Sequence, residues 1–200
     1  MHITVQSENN GDMLRIMPNL ATALPYLRFP DRPRVLWIDA ICIDQQNISE
    51  RSDQVRKMVD IYQLADSVIV WLGVEENLSD LALATLNNLG SKLEVDWSSR
   101  TMKSASTGYP EAHWASLSDE LPYDWLTWNT IYYFLHRPWF ERLWIWQEIG
   151  LQRREAVMLC GKKIILWQCF RRSIYCLRAK LMEPNIKGLN DRLDYIFNFM

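Results

Sequence analysis

The sequence predicts an α/β fold, a partial parallel sheet with flanking helices followed by a helical C-terminal extension. Three observations carry that reading. Arg34 to Ile38 and Ser67 to Leu72 are short apolar runs of strand length, the form that buried parallel strands take. Between them Val55, Met58, Val59, Tyr62 and Ala65 recur at i, i+3, i+4 and i+7, which places them on one side of a helix. Strand, helix, strand in that order is a βαβ unit, whose right-handed crossover makes its strands parallel.

The elements follow in order. Leu20, Leu24 and Leu27 mark a first helix that Pro25 should kink or shorten, and Phe29-Pro30-Asp31-Arg32-Pro33 reads as a turn into the strand. After a polar loop, Ser49 is expected to cap the central helix, with Glu50 against the positive end of its dipole and Arg51, Asp53, Lys57 and Asp60 toward solvent. The second strand stops at Gly73, and Glu75 and Glu76 come just beyond it. Leu78 to Leu89 is predicted as a helix stopped by Gly90. From Ser91 to Pro122 the periodicity dissolves, and the polar run Ser98 to Gly108 reads as an inserted surface loop. Trp125 to Leu135 is helical until Pro138 forbids it, and a new helix starts near Trp139. Ala156 to Cys160 and Lys163 to Leu166 form a hairpin around Gly161-Lys162, Trp167 to Leu181 is a helix, and Asn190 begins another. This divides the chain into residues 1–153 and an extension, 154–200.

Composition removes several function classes. With 48% hydrophobic residues, 200 residues suffice for one full core plus an incomplete appendage. A net charge of -2 gives no general attraction to nucleic acid or anionic lipid. Cys42, Cys160, Cys169 and Cys176 show no CxxC spacing and the three histidines are scattered, so no zinc framework is legible and a reduced, cytoplasmic chain is expected. The N-terminus lacks the basic and apolar regions of a leader, and no run reaches the roughly 18 apolar residues of a membrane span. Most of the ten tryptophans are expected in the core. Gly-rich phosphate loops, nucleophile elbows and HExxH pairs are absent from the sequence.

Two segments carry a family resemblance. Leu36-Trp37-Ile38-Asp39-Ala40-Ile41-Cys42-Ile43-Asp44-Gln45, with Glu50-Arg51-Ser52-Asp53-Gln54-Val55 and Ile61-Tyr62 through Val70-Trp71-Leu72-Gly73, resembles the central block of the fungal heterokaryon incompatibility (HET) domain. Arg137-Pro138-Trp139-Phe140-Glu141-Arg142-Leu143-Trp144-Ile145-Trp146-Gln147-Glu148 resembles its downstream block. The resemblance implies a fungal module for nonself recognition and regulated cell death, acting with other incompatibility or signalling proteins or as a homo-oligomer. It also implies a Rossmann-like three-layer core similar to Toll/interleukin-1 receptor (TIR) domains, some of which cleave NAD. Fold analogy alone does not establish that chemistry. The family's opening Ala-Leu-Ser-Tyr-x-Trp-Gly block has no counterpart here, so the first core strand is expected to be missing. Asp44 stands where the family pattern usually has Asn.

The candidate residues follow from chemistry. Asp39, at a predicted strand end, would orient a ribose hydroxyl or take a proton, or merely cap the next helix. If Asp39 and Asp44 converge, each raises the other's pKa. Glu148, among indoles that include Trp144, would be a desolvated carboxylate able to stabilise a ribosyl cation, or else the partner of an arginine. Arg137 and Arg142 would grip a pyrophosphate in bidentate fashion, or fork onto Glu148 and Asp39. Gln45 either reads a ligand or satisfies loop amides. Cys42 lacks a histidine nearby in sequence and reads as a small buried residue. No cofactor and no metal is expected, with NAD as the substrate of the enzymatic alternative. A third reading is a degenerate, non-functional copy.

Overall fold

The computed structural model describes residues 3–6, 13–105, 110–142, 149, 155–180 and 186–200. The chain is mixed α/β and divides into two compact units, Met1–Ala65 and Asp66–Met200.

In the first unit, β1 (Ile3–Gln6) and β2 (Met13–Ile16) pair antiparallel, Ile3 opposite Ile16. Helix α1 (Pro18–Leu27) starts with Pro18 at a position where the missing N–H costs nothing, and it continues through Pro25 to Leu27. The Arg34 guanidinium then closes the helix end by donating to the Leu27 carbonyl at 2.8 Å.

The predicted strand at Arg34 to Ile38 is not a strand. Its backbone is extended, with Ile38 at φ -136° and ψ 117°, yet no strand pairs with it among the described residues, and Val35 is 98% exposed. Apolar β-branched residues favour extension, but only a partner's N–H and C=O groups make a ladder. The run ends instead in one helical turn, α2 (Asp39–Cys42). The βαβ unit expected around the central helix is therefore not formed.

That helix, α3 (Ile48–Leu64), is capped by Asn47 and not by Ser49. The Asn47 side-chain oxygen accepts from the Glu50 amide at 3.1 Å, so Glu50 occupies the third helical position. Tyr62 meets Trp37 edge-on at 6.2 Å, whereas Val55 and Val59 remain exposed.

In the second unit the sheet order is β3 (Val68–Trp71), β6 (Ala156–Cys160), β7 (Lys163–Leu166). β3 and β6 are parallel, Val68 opposite Ala156 and Trp71 opposite Leu159; β6 and β7 form the predicted hairpin, turning at Gly161 with φ +54°. The parallel partner of β3 thus comes from far downstream. Helix α4 (Ser79–Ser91) passes through Gly90 without stopping. Gly90 matters for packing instead, because a Cβ there would lie 1.9 Å from the Cys169 carbonyl oxygen of helix α6 (Trp167–Lys180). Only a glycine lets these two helices approach so closely.

The stretch predicted as a surface loop contains a hairpin, β4 (Leu93–Asp96) with β5 (Thr101–Ser104). Four-residue strands are too short for alternation to stand out. Helix α5 (Trp125–Leu135) keeps its predicted bounds, with Asp124 as N-cap and Pro138 beyond its end. Pro138–Glu141 is a 3-10 turn, and the helix expected from there to Ile149 runs into residues outside those described. Helix α7 (Leu189–Asn198) closes the unit. Its core holds Phe134, Phe140, Phe170, Met158, Ile174 and Ile196, with Phe140 stacked on Phe170 at 5.6 Å. Trp114, Trp139 and Trp167 are buried as expected, but Trp125 is exposed.

Candidate functional site

Two places hold the predicted residues, one in each unit. The first is the loop from Asp39 to Glu50. Ile43 is its buried anchor, while Asp39, Cys42, Asp44 and Gln45 are exposed. Side chains close this loop on its own backbone. Asp39 Oδ1 accepts from the Ala40 amide at 2.7 Å, Gln45 Nε2 donates to the Asp39 carbonyl at 2.9 Å, and Asp44 Oδ1 accepts from the Gln46 amide at 2.9 Å. Glu50 Oε1 then accepts from the Asp44 amide at 3.2 Å. Each contact satisfies a backbone group that a loop would otherwise leave to water. The arrangement fixes a short acidic knuckle without burying it. Cys42 is exposed, contrary to the expectation of a buried thiol; its sulfur accepts from the Ile38 amide at 3.5 Å.

The second place is the carboxyl end of β3, where ligands of parallel sheets usually sit. Gly73 adopts φ +104° and lets the chain turn over Arg137. Arg137 is only 4% exposed, and its guanidinium donates to the Leu72 carbonyl at 2.8 Å and the Val74 carbonyl at 2.9 Å. Glu76 lies 3.6 Å from Arg137 Nη2 and is largely exposed, so the buried cation has its counter-charge at the surface. Ser79 Oγ accepts from the Glu76 amide at 3.2 Å and from the Cys160 thiol at 3.4 Å. Burial pushes the Cys160 thiol up, against the opposing pull of Ser79 and Arg137. A raised, hydrogen-bonded thiol is a packing group and not a nucleophile.

Arg137 thus faces backbone carbonyls from beneath the turn, with Val74, Glu75, Glu76, Asn77 and Leu78 exposed above it. Arg142 is exposed just past the 3-10 turn, its amide bonded to the Trp139 carbonyl. Trp144 and Glu148 lie outside the described residues. The sequence marks the acids Glu75 and Glu76, but not Ser79 or Cys160, because the pairing that unites them spans more than eighty residues. No group of metal-binding side chains occurs among the described residues, and no helix there is long and apolar enough to cross a membrane.

The geometry defines a class: a mixed α/β module presenting exposed acidic turns fixed by internal hydrogen bonds. A family model described as "Heterokaryon incompatibility protein (HET)" matches residues 2–148, and the chain belongs to that family. It is 29% identical over 205 aligned residues to heterokaryon incompatibility protein 6, OR allele, of Neurospora crassa, an alignment covering 90% of this chain. The chain spans only 29% of that relative's length. No solved structure matches it.

Proposed function

We propose that this chain is a recognition and signalling module for nonself incompatibility, triggering regulated cell death by assembling with other incompatibility proteins. The observation that carries the reading is family membership across residues 2–148. The Asp39–Glu50 loop is the proposed contact surface, with Asp39, Asp44 and Gln45 presenting acceptors and an amide to the partner. Their exposure supports this, as does the network that holds them in place before any partner arrives. A preorganised loop loses less conformational freedom on binding.

The test is inducible expression in a fungal cell, scored as growth arrest. The intact chain should arrest growth, and Asp39→Asn with Asp44→Asn should weaken the arrest while leaving expression and melting behaviour unchanged. Undiminished growth with the well-expressed intact chain would overturn the proposal. The purified protein, fused to an oligomerising tag, should be incubated with NAD in parallel. Nicotinamide release that Glu148→Gln abolishes would assign the arrest to NAD cleavage instead of assembly.

A further inference from the structure

Two buried arginines meet at one short turn of the second unit. Arg192, on α7 and 8% exposed, donates from Nε to the Leu135 carbonyl at 2.7 Å. Its Nη2 lies 2.7 Å from Glu141 Oε1, an ion pair whose carboxylate end is exposed. Leu135 is the last residue of α5, and two residues later Arg137 sends its own guanidinium to Leu72 and Val74. The acceptor of one arginine and the backbone of the other are thus only two residues apart.

Leu135, Arg137, Trp139 and Phe140 hold this turn from inside, while His136, Pro138, Glu141 and Arg142 are exposed. Leu135, Phe134 and Phe140 are buried to within 1% of full enclosure, and the two rings meet at 5.9 Å. On the far side, a Cβ at Gly73 would lie 3.0 Å from Arg137 Nη1. A close-packed interior passes a displacement on because it has no void to absorb it. We infer that residues 135–142 are a rigid link by which the docking of α7, through Arg192, positions Arg137 and so sets the order of the turn after β3. Arg192 is a positioning residue for that turn, and it lies beyond the family-matched residues 2–148. The inference is independent of the function proposed above. α7 has a second attachment, Arg178 Nε to Asp194 Oδ1 at 2.6 Å, which does not pass through Leu135 and serves as the control.

Amide hydrogen exchange of the full chain tests the link. The reporters are the Leu72 amide on Leu159, the Glu76 amide on Ser79, and the Gly161 amide on Gly73. Arg192→Met should speed exchange at Glu76 and Gly161 by about tenfold while the β4–β5 amides keep their rates. Arg178→Met should loosen α7 with a much smaller effect at those reporters. Because coupling is reciprocal, Gly73→Ala, which presses on Arg137, should raise exchange within α7. If Arg192→Met loosens α7 and leaves the reporters unchanged, or loosens every element equally, the link does not exist. Should Arg192→Met fail to fold, Arg192→Lys, which keeps the charge toward Glu141 but lacks the Nε donor to the Leu135 carbonyl, gives the same reading: faster exchange at Glu76 supports the link, and no change overturns it.

Discussion

Thiol chemistry separates the four cysteines by environment. Cys160, Cys169 and Cys176 are buried, and burial pushes each thiol upward, Cys176 to about 12. Only the thiolate reacts, so these three should be inert to a water-soluble disulfide reagent in the native protein at about pH 8. Cys42 is exposed. Titration should therefore find one fast thiol, lost in Cys42→Ser, and three more after denaturation; two or more fast native thiols would contradict this burial pattern. Cys42 also shows what a sequence conceals. An apolar neighbourhood of Ile41 and Ile43 suggests a core, but α2 turns the sulfur outward while Ile43 alone is buried. Arg137 is the opposite case: its charge in the sequence leaves a pyrophosphate or a carboxylate open as its partner, and the fold turns its guanidinium to the Leu72 and Val74 carbonyls.

Asp96 is a residue whose titration can be followed directly. Its Oδ1 accepts from the Ser98 hydroxyl at 2.6 Å, the Ser98 amide at 2.9 Å and the Ser99 amide at 3.2 Å. Hydrogen bonds from the Ser98 side chain first, then from Ser99 and the two amides, hold this carboxyl well below the usual carboxylate range. The folded pKa is lower than the unfolded value of about 3.9, so the stabilising contribution is complete above that value. It fades as pH falls below about 4 and through the folded pKa. The stability difference between the protein and Asp96→Asn should accordingly be widest near neutral pH and shrink in acid; a difference unchanged down to about pH 2 would contradict it.

At the scale of elements, what the sequence discloses depends on how local the cause is. The bounds of α5 are legible because Asp124 caps it and Pro138 ends it, both within a turn of the helix. The β6–β7 hairpin is legible because Gly161 lies between two apolar runs. The run Arg34 to Ile38 misleads because its apolar pattern gives no information about a pairing partner. Gly90 misleads for a related reason: a glycine near a helix end resembles a stop, and nothing nearby in sequence indicates the Cys169 carbonyl. Gly90→Ala tests the close approach of α4 and α6. The backbone atoms it would strike cannot swing aside, so the helices must separate, and the expected loss is about 1–3 kcal/mol or more in chemical denaturation. Gain of stability from improved helix propensity, as at an unobstructed glycine, would contradict the geometry.

For the whole molecule, the family-matched residues 2–148 and the folded unit do not coincide. β6 is the middle strand of its sheet, and Cys169 on α6 is the backbone against which α4 closes. A fragment of residues 66–153 would leave all four residues of β3 without their parallel partner. It would also lose Met158, Phe170, Ile174 and Ile196, each fully buried. Burying one such side chain contributes about 1.5–3 kcal/mol. Those four together are comparable with the whole net stability of a typical domain, about 5–15 kcal/mol. Thermal unfolding followed by circular dichroism should therefore show one cooperative transition for residues 66–200 and none for residues 66–153. The same comparison locates the boundary that matters to function. If 66–153 unfolds cooperatively, then β6, β7, α6 and α7 are dispensable additions to a complete family domain. If it does not, the family's sequence signature ends inside a folding unit, and any shortened chain used to test incompatibility must extend through α7.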